Sequence, residues 1–464
     1  MYYERNCAKD IQIAYVGGGS RGWAWNFMTD LALEPSMSGT VRLYDIDRES
    51  AETNCLIGEK ITADPRAVSK WQYSVAGSLG EALTGADFVI ISILPGTFDE
   101  MEYDVHLPER VGIYQSVGDT VGPGGFIRAL RTLPMIAEIG EAVKQYAPNA
   151  WVLNFTNPMT TCIRTLYTVF PQIKAMGCCH EVFGTQKLLA AMLEDLCGIK
   201  GVTRQEIKTG VIGINHFTWL YSASYQGMDL MPLYAQFVEK YKDEGFARGE
   251  DANWMNNSFN SNHRVKFDLF RRYGLIAAAG DRHLAEFVPP WYLKDPETVK
   301  SWGFGLTSVA FRKQKQKGRI ERQKRLLTGE EPLSFVPSGE EGHLLMKALL
   351  GLEDMVSNVN LPNRGQITNL PMDAVVETNA LFRRNEISPV MAGKLPQGLD
   401  ALIQHQVAIQ EATVTAALTC DRQLAFNTFM NDPHMSHVSL SDGKRLFEDM
   451  IAGTSTYLPA LWHK

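Results

Sequence analysis

Ile11-Gln-Ile-Ala-Tyr-Val-Gly-Gly-Gly-Ser-Arg-Gly22 decides the fold. Its first half, Ile11–Val16, is a short apolar run rich in β-formers. A helical pattern through Trp23, Phe27 and Leu31 follows the last glycine. The reading is strand, glycine turn, helix. Gly17, Gly19 and Gly22 fit G-x-G-x-x-G: the first permits the tight turn, the second lets the backbone approach a pyrophosphate, and the third lets helix and strand pack closely. The turn, with Ser20 and Arg21 in it, would present the anion to free N–H groups and the positive end of the helix dipole.

Further strands extend this unit. Val41–Tyr44 is apolar and ends in Asp45, an acid placed to bind the adenosine ribose diol and to repel a 2′-phosphate. That favours NAD over NADP. Asp47 is an alternative for the same role, and an ordinary surface acid is the bland one. Asp87–Leu94 and Trp151–Phe155 are two more apolar strands. Such strands alternating with helical patterns predict a doubly wound parallel sheet covered on both faces. Ligands of such sheets bind at the carboxyl ends of the strands. The loops there carry polar chemistry: the glycine-rich stretch Val117–Gly125 with Asp119 and Arg128, and Asn154-Phe-Thr-Asn-Pro158.

The chain has 464 residues, which suggests two domains. A change of pattern near Gly198–Thr203 divides it into residues 1–200 and a mixed α+β part, 201–464. The formal charge of −7 argues against a nucleic-acid partner. No apolar run is long enough for a membrane span, and the first residues lack a secretory signal. Seven irregularly spaced cysteines then read as reduced thiols, pointing to the cytoplasm.

Cys179-His180 and Asn215-His216 offer a thiolate and imidazoles, ligands suited to a divalent transition metal. Spacing alone equally allows a buried cysteine and a hydrogen-bonded core histidine. Gly280-Asp-Arg-His-Leu-Ala-Glu-Phe287 is a dense ionisable cluster that a helix start also explains. Lys313–Arg325 reads as a solvated basic helix face, and Arg264–Tyr273 and Leu402–Leu418 read as helices.

Taken in order, Gly17–Gly22, Gly118–Gly125, Arg128-Ala-Leu-Arg-Thr132, Asn154–Pro158, Cys179-His180, Asn215-His216 and Asn369-Leu-Pro371 resemble the family-4 glycoside hydrolases. These are the NAD-dependent exception to glycosidases that work with two carboxylates. The resemblance implies a Rossmann domain like that of lactate and malate dehydrogenases, a mixed C-terminal domain, NAD and Mn2+ as cofactors, and a homodimer or homotetramer. It places the metal on Cys179 and His216. Cys179-His-Glu-Val182 looks like the α-galacturonidase group. α-Galactosidase and α-glucuronidase are the alternatives within the family, and an NAD-dependent hydroxy-acid dehydrogenase is the alternative outside it.

The chemistry implied is C3 oxidation by NAD, C2 deprotonation, elimination of the C1 substituent and addition of water, with the metal as Lewis acid at the C2 and C3 oxygens. By motif Asp104 matches the acid and Asp281 the base. Asn154, Asn157 and His180 resemble sugar contacts. A uronic-acid glycoside brings its own carboxylate, for which Arg128, Arg282 and His283 are the candidate partners. Glu181, an acid beside the metal, has no evident place in this picture.

Overall fold

A computed structural model describes residues 1–246, 261–306 and 308–463. Fourteen strands occur among them. β1 to β7 are Tyr2–Glu4, Cys7–Val16, Met37–Tyr44, Trp71–Val75, Phe88–Ile91, Trp151–Asn154 and Lys174–Gly177. β8 to β11 are Ile207–Ile214, Phe217–Tyr225, Met228–Asp229 and Ile276–Ala277. β12 to β14 are Met355–Pro362, Val375–Arg383 and Glu386–Pro389.

The parallel part of the main sheet runs β4-β3-β2-β5-β6-β7. That is the doubly wound dinucleotide-binding order, which reverses direction between β2 and β5. Side chains alternate across it. Ala14, Val16, Val89 and Ile91 enter one buried cluster, and Ile13, Tyr15, Phe88 and Ile90 the other. Burial on both faces explains why these strands read as unbroken apolar runs.

The register lines up the strand ends. Val16 pairs with Tyr44 and Ile91, Ile91 with Asn154, and Asn154 with Gly177. The glycine turn, the loop after Ile91, the Asn154–Pro158 loop and Cys178–His180 therefore leave the sheet along one edge. The helix Glu181–Cys197 ends at Gly198, whose φ of 70° is left-handed, the C′ geometry that suits glycine.

The C-terminal half does not stand apart from this sheet. β12 joins β7 through Asn360 and Gly177, and β13 and β14 continue it antiparallel. Asn358–Glu377, which alternates turn signals with apolar runs in the sequence, thus supplies the arms of a sheet-extending hairpin. A second sheet of β8 to β11 packs on the helices Met231–Tyr241, Arg264–Tyr273 and Asp281–Phe287. The helix Val309–Thr328 departs from its expected solvated role: Gln323 is buried and Arg312 and Arg319 are half-buried. Among the described residues no helix is long and apolar enough to cross a membrane.

Candidate functional site

The glycine turn is built from backbone bonds. Gly17 has φ +94°, and a Cβ there would lie 2.1 Å from the Ser92 carbonyl oxygen, so only glycine fits. The N–H groups of Gly17 and Gly18 both donate to the Tyr44 carbonyl at 2.9 Å. Ser20 N–H closes the turn on Gly17 O at 3.0 Å, and Gly22 (φ 119°) precedes the helix Trp23–Leu33. Asp45 accepts the Gly19 N–H at 2.8 Å and the Asp47 N–H at 2.9 Å, so the acid at the end of β3 braces the turn. Arg21 donates to Gln323 Oε1 at 2.9 Å and Ser50 Oγ at 2.5 Å. A tight turn feeding a helix N-terminus fits a pyrophosphate.

A second group is a wall of side chains from distant segments. Ile214 pairs with Phe217, which makes Asn215 and His216 the tip of a two-residue hairpin, with His216 at φ 62°. A non-glycine residue in that region is strained by about 1–3 kcal/mol, and such strain is held where surrounding contacts fix it. Here Thr120 Oγ lies 2.9 Å from His216 Nδ1, leaving Nε2 as the nitrogen open to a metal. Ligand atoms of Asp119, His216 and His283 lie within 4.8 Å of one another, and the two imidazole centroids are 3.9 Å apart.

The charges follow from the neighbours. Burial, then the nearby His283, pushes His216 down to about 3, so the ring is neutral, the form that binds a cation. Burial raises the Asp119 carboxyl, but Arg128, His283 and His216 outweigh it and hold the group at about 2. Glu181, without a role in the sequence, pairs with His283 Nδ1 at 2.9 Å and accepts the Gly280 N–H at 2.7 Å. Burial opposes its charge, yet His283, His216 and His180 keep the carboxyl well below its usual range.

Cys179 lies outside the Asp119, His216 and His283 triplet. Burial, with Glu377 and Glu181 beside it, pushes its thiol far up, so it becomes a thiolate only when a cation offsets those charges. Glu377 is held by Asn358 at 2.7 Å, Thr218 at 3.0 Å and Asn215 at 3.3 Å. Imidazoles, carboxylates and a thiol together suit a divalent transition metal.

The remaining sequence candidates fall in different places. Asp104 is fully buried in a two-point ion pair with Arg131 and is not a member of the triplet. Asp281 starts a helix and accepts the N–H groups of Lys266 at 3.1 Å and Val265 at 3.3 Å, while burial raises its carboxyl to about 6. Asn154 braces its own loop, donating to the Thr156 carbonyl at 2.9 Å and accepting the Thr156 N–H at 3.2 Å. Asn157 does offer an acceptor, since its buried Oδ1 has no protein partner among the described residues. Arg128 donates to the Asn157 carbonyl at 3.4 Å, and Arg282 to the Ser116 carbonyl at 2.7 Å. His180 stacks on Trp23 and lies 3.3 Å from Glu340.

Several wall residues are not assigned by sequence. Asp119 is visible there only as part of a glycine-rich loop, and Glu377 only as the end of a strand. Glu286 receives the N–H groups of Val117 at 2.7 Å and Gly118 at 2.9 Å, fixing the loop that carries Asp119. No local spacing signals these meetings.

Residues 12–195 match the family model for the family 4 glycosyl hydrolases, and residues 211–435 match the model for the C-terminal domain of that family. An α-galacturonidase of Thermoanaerobacterium saccharolyticum is 61% identical over 459 residues, 99% of this chain and 98% of that protein. A solved Bacillus subtilis structure, named for a glucosidase, superposes with a TM-score of 0.90 at 51% identity, covering 96% of this chain and all of that one. The Thermotoga maritima 6-phospho-β-glucosidase, solved with manganese, NAD+ and glucose-6-phosphate, shares the fold at a TM-score of 0.77 and 20% identity, over 97% of this chain and 99% of that one. The chain belongs to the family 4 glycosyl hydrolases.

Proposed function

We propose that this enzyme hydrolyses α-galacturonides, with NAD and a divalent metal, manganese, as resident cofactors. The observation that carries the reading is the meeting of Asp119, His216 and His283, together with Cys179 just after β7, on the sheet edge that also bears the glycine turn. The galacturonide substrate is supported by the full-length Thermoanaerobacterium relative, and the cofactors by the donor set and by what the Thermotoga protein holds. When bound, NAD would accept and return a hydride at the sugar and the metal would act as a Lewis acid on its hydroxyl oxygens.

In this reading Cys179 and His216 hold the metal, with Asp119 within reach as a further donor. The turn Gly17, Gly19, Ser20, Arg21 and Gly22, with Asp45, holds the dinucleotide. Asp281 takes the C2 proton, and a carboxyl raised to about 6 suits a base near neutral pH. The acid role given to Asp104 by motif requires its carboxyl to part from Arg131, and Asp104→Asn decides it. Asn154, Asn157 and His180 contact the sugar, with Asn154 also bracing its own loop. Arg128, Arg282 and the His283 held by Glu181 supply positive charge for the substrate carboxylate. Residues 1–200 serve the dinucleotide and 201–464 the substrate and the assembly, a homodimer or homotetramer in the cytoplasm.

The test is a panel of p-nitrophenyl α-glycosides with NAD+ and Mn2+. Galacturonide should outpace galactoside and glucuronide, with aglycone released and no net absorbance gained at 340 nm. Equal rates on galacturonide and galactoside would remove the uronide assignment. NADH accumulating without aglycone would favour a hydroxy-acid dehydrogenase instead.

A further inference from the structure

The helix Val309–Thr328 lies across the sheet edge and is fastened at both ends. Near its start, Lys313 pairs with Asp99 at 2.7 Å and Glu102 at 3.3 Å, both on the helix Phe98–His106 that follows β5. Arg312 donates to the Val117 carbonyl at 3.2 Å, two residues before Asp119. Near its end, Gln323 accepts from Arg21 at 2.9 Å and donates to Asn54 Oδ1 at 3.0 Å. Asn54 in turn donates to the carbonyls of Gly18 at 2.8 Å and Ser20 at 3.1 Å. One end of the helix therefore reads the polar wall and the other reads the glycine turn.

Arg312, Arg319 and Gln323 share one face, because steps of seven and four residues return to within about 40° on a helix. At about 1.5 Å of rise per residue, Arg312 and Gln323 are roughly 16 Å apart along the axis, with Arg319 roughly 6 Å from the glycine-turn end. A dinucleotide laid across the β2/β5 crevice has its pyrophosphate at the glycine turn and its nicotinamide toward the wall. A dinucleotide so laid would run between the two anchors. Arg319 is half-buried on the same helix face as Arg312 and Gln323, nearer the turn than Arg312, and a guanidinium matches the geometry of a phosphate by two parallel N–H donors.

We propose that Arg319 closes over the pyrophosphate of the bound dinucleotide from the side opposite the glycine turn. The inference rests on the NAD reading above. It also gives the helix a function: the C-terminal half supplies a strap that binds cofactor, so the dinucleotide site is completed by both halves of the chain.

The test is calorimetric titration of the full-length protein with NAD+ and with ADP-ribose, which keeps the pyrophosphate and lacks the nicotinamide. Arg319→Ala and Arg319→Gln should weaken both ligands at least tenfold and by the same factor, with Arg319→Lys, which keeps the charge but not the two parallel donors, recovering only part of the loss. The glutamine variant keeps side-chain length, so a folding defect confined to the alanine variant leaves the comparison intact. Lys324→Ala removes the same charge from the exposed side of the helix and should change neither affinity more than twofold. Affinities unchanged in Arg319→Gln, or a loss seen with NAD+ and not with ADP-ribose, would overturn the proposal. A wild-type protein that binds neither ligand would instead overturn the NAD reading on which it stands.

Discussion

The glycine turn and the polar wall lie along one sheet edge but are made in opposite ways. The turn is contiguous, residues 17–22, and its shape is set by backbone N–H and carbonyl groups with Asp45 as brace. The wall gathers side chains from five separate segments, around Asp119, Cys179, His216, His283 and Glu377, and its order depends on side-chain pairing and burial. A single added methyl group can wreck the first. The second fails when one donor or one charge is removed. The two should therefore be separable by mutation, each losing its own ligand.

The largest effect is expected at His216. His216→Ala removes a donor from the wall and should lower aglycone release by about a thousandfold or more, the order expected when several kcal/mol of Lewis-acid stabilisation is lost. Manganese affinity, read by the electron paramagnetic resonance of the free ion, should fall with it. Affinity for NAD+ should stay within about twofold. Dinucleotide binding that collapsed together with metal binding would show that turn and wall are one unit. Gly17→Ala is the reverse experiment. A Cβ placed 2.1 Å from Ser92 O forces the backbone apart at a φ of +94°. It should abolish measurable NAD+ binding and lower the melting temperature while leaving manganese affinity in place. Gly85, at φ +69° with open space around it, is the control: Gly85→Ala carries the left-handed strain of about 1 kcal/mol without the clash. Equal losses in the two variants would show that strain alone, and not the close approach to β5, fixes the turn.

This difference also governs what the sequence discloses. Strand, turn and helix at residues 11–33 follow from local periodicity and from what glycine permits, and the parallel sheet follows from apolar runs that need cover on both faces. The wall is not local. His216 acquires its role from a hairpin that only the fold closes, and Glu181 is explained by His283, far along the chain. Sequence resemblance proposes Cys179, His216 and Asn154 as site residues because motifs preserve order, but it does not disclose that the Asn154 amide also braces its own loop. The basic stretch 313–325 misled for a similar reason. Its charges sit at helical spacing, and composition does not reveal that Arg312, Arg319 and Gln323 form an inner face.

A third test addresses the seam where the two regions meet. The helix after the glycine turn ends near segment 338–343, whose Glu340 also faces His180. There Asp30 is buried, accepts the Ser338 N–H at 2.9 Å, and lies 3.8 Å from His343. Burial raises Asp30 to about 7 and lowers His343 to about 4. Asp30, raised above its unfolded value, contributes stability that is complete below about pH 4 and lost as the pH rises toward 7. His343, lowered, contributes stability that is complete above about pH 6.5 and lost as the pH falls toward 4. The slopes oppose each other, so this pair leaves wild-type stability nearly level between them. Asp30→Asn should make stability rise with pH relative to wild type, and His343→Gln should make it fall, each by on the order of 1–3 kcal/mol across the window. Denaturant unfolding at a series of pH values reads both. Parallel slopes in the two variants would mean that neither group is buried in its stated form, and that the seam is looser than either region.

The smallest effect is expected at Asp45, where the two ways of building meet in one side chain. Its carboxylate already accepts the Gly19 and Asp47 N–H groups, one on each oxygen. Each oxygen retains a further lone pair, so the same carboxylate can brace the turn and accept the adenosine ribose diol. Asp45→Asn keeps one acceptor for the turn but removes the charge that repels a 2′-phosphate. Arg21, held nearby by Ser50 and Gln323, then becomes the dominant charge at that corner. The preference for NAD+ over NADP+, taken as the ratio of dissociation constants, should fall about tenfold, equivalent to about 1.4 kcal/mol. Asp45→Ala should lower that ratio similarly and should also reduce the melting temperature, because the Gly19 N–H loses its partner. If the asparagine variant kept the wild-type ratio while the alanine variant lost stability, Asp45 would be a brace alone. Cofactor choice would then lie with Asp47, whose carboxylate caps the next helix at Ser50 and lies 3.6 Å from Arg21.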